Sequence, residues 1–424
     1  MLARHVGRLN PPRRAAFWAV ALLTLANLLN YLDRFIVPAL VESLKRSEMK
    51  PNDAQLGLLA TAFLIVYMLA SPVFGRLGDR GNRPRLLAAG VALWSLATAA
   101  GAFAGSYAAL FAARAAVGVG EAAYATIAPA MLADLYPREK RGRAFAVFFL
   151  ATPVGSALGY ILGGLIDQRY GWRAAFLVAG APGLLLALAF LALRDPPRGG
   201  AEPEESGDLW SPGPQEARVA GFFGPWRRLL RNGLYVRTVA GYAAYTFALG
   251  ALAFWTPAFL ERVRGVPRAE ATVVFGAIAV ATGIVGTLAG GWLTDKLKPE
   301  GRRPELWLSG WATLAAAPFA AAAFFLPERS AYLTAIVVAE LLLFCSTGPI
   351  NAVIVGVVSP AERATASALA IFAIHAFGDV PSPPLVGLIS DSRGLKTAFL
   401  LLLPPALLVG GWIWLAASRR RSPG

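Results

Sequence analysis

Gly75-Arg76-Leu77-Gly78-Asp79-Arg80-Gly81-Asn82-Arg83 is a short, charged, glycine-broken turn between two apolar runs, 54–75 and 86–105. Each run is long enough to cross a hydrocarbon core about 30 Å thick, which takes ~20 helical residues. Working outward, the same pattern repeats. Apolar runs occupy 16–40, 54–75, 86–105, 107–133, 144–166, 174–193, 234–260, 270–293, 306–326, 331–358, 364–389 and 397–417. Ala, Gly and Leu dominate them, without the period-2 alternation of a barrel. The first run contains Asp33 and Arg34 and is too long for a signal segment, so it reads as an uncleaved span. The chain has 424 residues, 56% hydrophobic and only 15% charged. That composition excludes disorder and a single soluble domain. The reading is an all-α membrane protein with twelve transmembrane helices.

The net charge of +15 then needs a place. Of the 40 Lys and Arg, 27 fall in segments on the side of the two termini, 11 fall on the other side, and Arg34 and Arg114 lie within spans. This is the positive-inside asymmetry, which puts both termini in the cytoplasm. The basic excess is therefore a topology signal with some grip on anionic headgroups, and no nucleic-acid partner is expected. Cys345 is the single cysteine, and with two His no structural zinc site is expected. His5 sits in the basic N-terminal tail and reads as solvated.

The organisation is two halves and a connector. A cytoplasmic tail (1–15) leads into a six-helix bundle (16–193), a linker (194–233), a second bundle (234–417) and a tail (418–424). Residues 195–216 are rich in Pro, Gly and acid, as in a flexible linker. Residues 219–230 place Phe222, Phe223 and Trp226 among Arg227 and Arg228. That piece is either a short surface helix or an irregular basic connector. The halves look duplicated. Residues 164–176 match 387–399 at six of thirteen positions, at an offset of 223. Pro137 and Glu139 match Pro360 and Glu362 at that offset, and 75–80 echoes 291–296. A parallel repeat of two pseudo-symmetric six-helix bundles points to a transporter that rocks about a central site.

The segment 75–83 resembles the loop 2–3 signature of the major facilitator superfamily. The resemblance implies cytoplasmic gating by Asp79, Arg80 and Arg83, with Asp295 and Lys296 in the degenerate second copy. Further motifs narrow it: Asn30-Tyr31-Leu32-Asp33-Arg34, Gly118-Val119-Gly120-Glu121-Ala122-Ala123-Tyr124, Pro153-Val154-Gly155-Ser156 and His375-Ala376-Phe377-Gly378-Asp379. Together they resemble the Spinster family of lysolipid and sphingolipid transporters, over about residues 27–392. The Asn-Tyr-x-Asp-Arg piece also occurs in organic-anion symporters of the superfamily. The implied substrate is an amphipathic lipid of sphingoid or lysophospholipid type.

Charges inside a membrane are expensive and usually functional. Asp33, Arg34, Arg114, Glu121, Glu340 and Asp379 fall well inside spans, as does His375. Arg114 and Glu121 are seven residues apart, on one face of the fourth span. Asp33 and Arg34 differ by about 100° around the first helix and so face different partners. Asp33 and Glu121 are the expected proton acceptors. Arg34 is a counter-ion to Glu121 or a grip for an anionic headgroup, and Arg114 supports the network. A permanent neutral network that only orients helices is the competing reading. Glu340 is expected to be protonated or to pair with His375. His375 and Asp379 share a helix face, through a proton role or an interhelical hydrogen bond. The substrate cavity is expected to draw on Arg34, Glu121, Tyr124, Thr152, Tyr245, Glu340, His375 and Asp379. Phe63 and Tyr67 are further candidates for its wall. Gly155, Gly159 and Gly163 predict close helix approach, and Pro153, Pro257, Pro349 and Pro381 predict kinks.

No Gly-x-Ser-x-Gly elbow, metal-ligand cluster or nucleotide-binding Gly-Lys-Ser/Thr loop is present, so neither an enzyme nor ATP drive is expected. No cofactor is expected beyond the proton. A proton-coupled exporter of amphipathic drugs or an organic-anion symporter on the same fold is the alternative function, and a non-transporting sensor a further one. The Ala- and Arg-rich composition points to a bacterial inner membrane, and a monomer is usual for the superfamily.

Overall fold

The structure, a computed structural model, describes residues 13–136, 138–198, 224–297, 299–358 and 363–419. Six long helices come first: α1 (Arg13–Arg46), α2 (Asp53–Arg80), α3 (Arg83–Gly101), α4 (Tyr107–Leu135), α5 (Arg138–Tyr170) and α6 (Trp172–Leu191). A short α7 (Gly224–Arg231) leads into α8 (Gly233–Arg262), α9 (Arg268–Lys296) and α10 (Pro304–Phe325). The next two apolar runs are interrupted. One is α11 (Arg329–Phe344) followed by α12 (Thr347–Gly356). The other is α13 (Arg363–Ile374), a π turn (His375–Asp379) and α14 (Ser382–Arg393), before α15 (Leu395–Ser418). Every one of the twelve apolar runs is thus helical. By length and composition, eleven spans among the described residues suffice to cross a membrane. The remaining helix, α3, is 19 residues long and spends its first turn on Arg83-Pro84-Arg85.

Helix ends follow local chemistry. The side chains of Asn82, Ser106 and Asn232 accept backbone N–H bonds and cap α3, α4 and α8. Gly171 and Gly394 both adopt positive φ, 79° and 81°, and each opens the following helix. They are the matching positions of the repeat, so the duplication extends to backbone conformation. The break at Cys345–Ser346 lies one turn before Pro349, which has no N–H to offer the Cys345 carbonyl. The π turn lies just before Pro381, Pro383 and Pro384, and its Val380 N–H donates to the His375 carbonyl. Of the connector, α7 is helical with Arg227 and Arg228 exposed and Leu229 buried. The surface-helix reading therefore holds for its second part, while Phe222 and Phe223 lie outside the described residues. So do His5 and the Pro137, Pro360 and Glu362 matches.

The chain forms two compact units: Met1–Ser43 with Ala62–Ser211, and Leu44–Thr61 with Pro212–Gly424. In the first, α3 packs between α4 and α6. The glycine ladder of α5 lies on α1. A Cβ on Gly159 would stand 2.5 Å from the Leu32 carbonyl oxygen, and one on Gly163 would stand 2.9 Å from the Ala39 Cβ. Only glycine admits that approach. In the second unit, α15 packs on α8 and α10 around buried Trp414, whose indole donates to the Thr238 carbonyl at 3.0 Å.

Candidate functional site

The first unit gathers four ionisable side chains. Asp33 and Arg34 are neighbours on α1 and, as the helical geometry requires, point to different partners. Arg114 Nη1 donates to Asp33 Oδ2 at 3.3 Å and Oδ1 at 3.4 Å, and Thr98 Oγ1 of α3 donates to Oδ1 at 2.9 Å. Arg34 Nε donates to Glu121 Oε2 at 2.8 Å. The residues Arg114 and Glu121, one face of α4, thus take the two neighbours of α1. The two pairs nevertheless differ. Asp33 and Arg114 are both buried, and Asp33 has three donor contacts. The Glu121 side chain is fully buried, 0% exposed, yet its Oε1 has no hydrogen-bond partner among the described residues. Arg34 remains 17% exposed and is boxed by rings, with its Cζ 5.2, 4.8 and 5.0 Å from the centroids of Tyr31, Phe63 and Tyr67. Such rings stabilise a guanidinium whether or not it is ion-paired.

The remaining predicted cavity residues of this unit hold the frame. Tyr124 is buried and its hydroxyl donates to the Leu23 carbonyl at 2.5 Å. Asn27 Nδ2 donates to the Phe148 carbonyl at 2.9 Å and approaches Thr152 Oγ1 at 3.4 Å. These bonds fix α1 against α4 and α5, and so fix where Asp33 and Arg34 stand. Thr98 and Tyr31 were not expected from sequence. Thr98 is one of two hydroxyls, with Ser95, in the Ala-rich third span, and that was its signal.

In the second unit the expected pair of Glu340 with His375 does not form. Glu340 is buried on α11, where Thr282 Oγ1 of α9 donates to its Oε2 at 3.1 Å. His375 Nδ1 instead lies 2.9 Å from Asp379 Oδ1, its neighbour one turn along. The π turn carries both residues, so their shared helix face holds them to each other. Glu340 also borders a cavity of about 20 Å³ with Thr256, Phe259 and Phe324, room for about one water. Tyr245 is buried and its hydroxyl donates to the Leu343 carbonyl at 2.9 Å.

Sequence reasoning missed the buried carboxylate of Asp53. Asp53 opens α2 and accepts from Lys45 Nζ at 2.5 Å, Arg262 Nη1 at 2.5 Å and Ser390 Oγ at 2.6 Å. Asp391 in turn caps α2, accepting from the backbone N–H groups of Asp53 and Ala54. Its signal was an acid in the first turn of a span flanked by basic residues.

Of the predicted gating residues, Asp79, Arg80, Asp295 and Lys296 are exposed. Arg83 is buried. It donates to Asp134 Oδ2 at 2.5 Å and Asp195 Oδ1 at 2.7 Å, and also to the Pro196 carbonyl. Arg198 donates to the Gly78 and Gly81 carbonyls, both at 2.8 Å. The α2–α3 turn is therefore strapped to the chain that follows α6.

Comparison with known proteins gives the family and the fold. The Major Facilitator Superfamily profile matches residues 23–378. Protein spinster homolog 3 of Mus musculus is 36% identical, over 97% of this chain and 86% of its own. Protein spinster homolog 1 of Homo sapiens is 35% identical, over 99% and 84%. In fold, the chain is similar to a bacterial homolog of the human lysosomal transporter Spinster, solved in an inward-facing and occupied conformation. The TM-score is 0.80 at 24% identity, covering 97% of this chain and 100% of that one.

Proposed function

Because the chain belongs to the Spinster family of the major facilitator superfamily, we propose that it is a proton-coupled carrier of an amphipathic, anionic lipid of the lysophospholipid or phosphorylated sphingoid type. The carrying observation is the unequal pairing in the first unit. Both oxygens of Asp33 accept hydrogen bonds, whereas Glu121, among the described residues, keeps one buried oxygen without a partner and leans on an Arg34 that is partly open. A proton arriving at Glu121 Oε1 satisfies that oxygen and cancels the carboxylate charge. Arg34 then keeps a full positive charge inside its ring box. An anionic headgroup takes the place of the lost carboxylate, and the Tyr31, Phe63 and Tyr67 faces receive the first carbons of the tail. Proton and headgroup thus favour each other through Arg34, a coupling that is reciprocal by linkage. Asp33 is the second proton acceptor, and its three donor contacts make it the harder one to neutralise.

Alternating access about the central site completes the cycle, with Asp79, Arg80 and Arg83 and the second copy Asp295 and Lys296 as gate residues. The protein works as a monomer in the inner membrane of a bacterium, with both termini in the cytoplasm. Organic-anion symport is the second reading, because the same Arg34 box suits a carboxylate without a tail.

Uptake into proteoliposomes across a pH gradient tests the coupling on Asp33→Asn and Glu121→Gln. The expected result is flux that no longer responds to the gradient in Glu121→Gln. Unchanged pH dependence in both variants sinks the proposal. A short-chain carboxylate carried as well as a lysophospholipid selects the second reading.

A further inference from the structure

The second unit carries a groove built from residues other than its ionisable cluster. Its walls are the start of α10 and the end of α15. Trp307, Trp311 and Trp412 line it together with Arg302 and Arg419, and it measures about 560 Å³. Trp311 and Trp412 are 52% and 69% exposed. The backbone explains why the two arginines meet. Arg302 and Arg419 face each other across an isolated antiparallel bridge, and the Arg303 N–H donates to the Ser418 carbonyl at 2.8 Å. Two like charges are thus fixed side by side. Arg302 Nη1 reaches Ser418 Oγ at 3.4 Å, and neither guanidinium has a carboxylate partner among the described residues.

The depth of the groove says what covers it. Tryptophan is favoured where a span meets the headgroup layer, with its ring in the apolar edge and its N–H toward water. The charge asymmetry assigns this end of α10 and α15 to the inside, the leaflet face that attracts basic clusters through anionic lipid. Exposed indoles beside unneutralised arginines therefore match one occupant: a phosphodiester for the guanidinium pair and acyl chains for the rings. A planar guanidinium suits a phosphate through two parallel N–H bonds.

We propose that this groove is a binding site for an anionic phospholipid of the inner leaflet, formed by Arg302, Arg419, Trp311 and Trp412. It is a resident-lipid site and is separate in residues from the ion pairs of the first unit. The lipid would bridge the C-terminal end of α15 to the start of α10, adding to the single backbone bridge between them.

Native mass spectrometry of the full chain, with dioleoylphosphatidylglycerol or dioleoylphosphatidylcholine titrated into detergent, tests this. The wild-type protein is expected to retain phosphatidylglycerol in preference to phosphatidylcholine. Arg302→Gln with Arg419→Gln should weaken phosphatidylglycerol about thirtyfold, the loss expected for two basic contacts. The Lys pair at the same positions should restore most of it. Trp311→Leu with Trp412→Leu leaves the backbone bridge untouched, and should lose retention of the lipid even if the arginine variant fails to fold. Equal retention of the two lipids by wild type overturns the proposal, as does unchanged phosphatidylglycerol retention in both double variants. So does a dimer that the tryptophan variant dissolves.

Discussion

Glu121 is the residue on which the account turns, because a fully buried carboxylate with one oxygen unpaired is costly to keep. Its neighbour pair supplies the contrast. Asp33→Asn leaves the buried Arg114 without a countercharge, and breaking one side of such a pair costs about 3–5 kcal/mol. A lowered melting temperature in detergent, partly restored by adding Arg114→Gln, is the expected outcome. Glu340 behaves differently, since its recorded partner is the neutral Thr282 hydroxyl. Glu340→Gln keeps an acceptor for that hydroxyl, and is expected to shift stability by less than about 1 kcal/mol in a denaturant titration. The four residues of the first cluster were legible in sequence as intramembrane charges, and the 100° offset told that Asp33 and Arg34 part company. Arg34 as counter-ion to Glu121 was one of two expected roles and is the pair that forms, whereas the partner of Asp33 was not named. Arg114 and Glu121 lie on one face of α4, so only the axial level of α1 against α4 decides, and that level is set by contacts such as Tyr124 to Leu23.

At the scale of elements, hydropathy located every span, because a span in lipid must satisfy its own backbone and bury no charge needlessly. It did not locate helix ends. The first helix runs to Arg46 and the fifth to Tyr170, since polar residues continue a helix past the apolar run without penalty. Nor did it foresee the interruptions at Cys345–Ser346 and His375–Asp379, although Pro349 and Pro381 marked their neighbourhood. The glycine ladder of α5 was legible, and it makes a sharp prediction. Gly159→Leu forces α5 away from the Leu32 carbonyl, and overpacking of that kind costs about 1–3 kcal/mol. Thermal melting should fall, and uptake with it, because Leu32 adjoins Asp33. Arg83 argues likewise at the α2–α3 turn. Arg83→Ala strands Asp134 and Asp195 together, so low salt should destabilise that variant more than wild type, read as a salt-dependent melting temperature.

Across the whole molecule, charge does two separate jobs. In the proposed reading the bulk of the basic residues sets orientation, and a few residues inside the membrane carry the chemistry. The duplication does not distribute that chemistry evenly. Well inside the apolar runs, the first unit holds the Arg34–Glu121 and Arg114–Asp33 ion pairs, while the second holds a hydroxyl-bonded Glu340 and the His375–Asp379 pair. The proposed coupling therefore draws on the residues of the first unit. The most direct measurement is the affinity of wild type and Glu121→Gln for lysophosphatidylglycerol across a pH series in detergent. Wild type is expected to bind more tightly as pH falls, because protonated Glu121 releases Arg34. Glu121→Gln should bind tightly at every pH with a flat profile. A Glu121→Gln profile with the wild-type slope would contradict it.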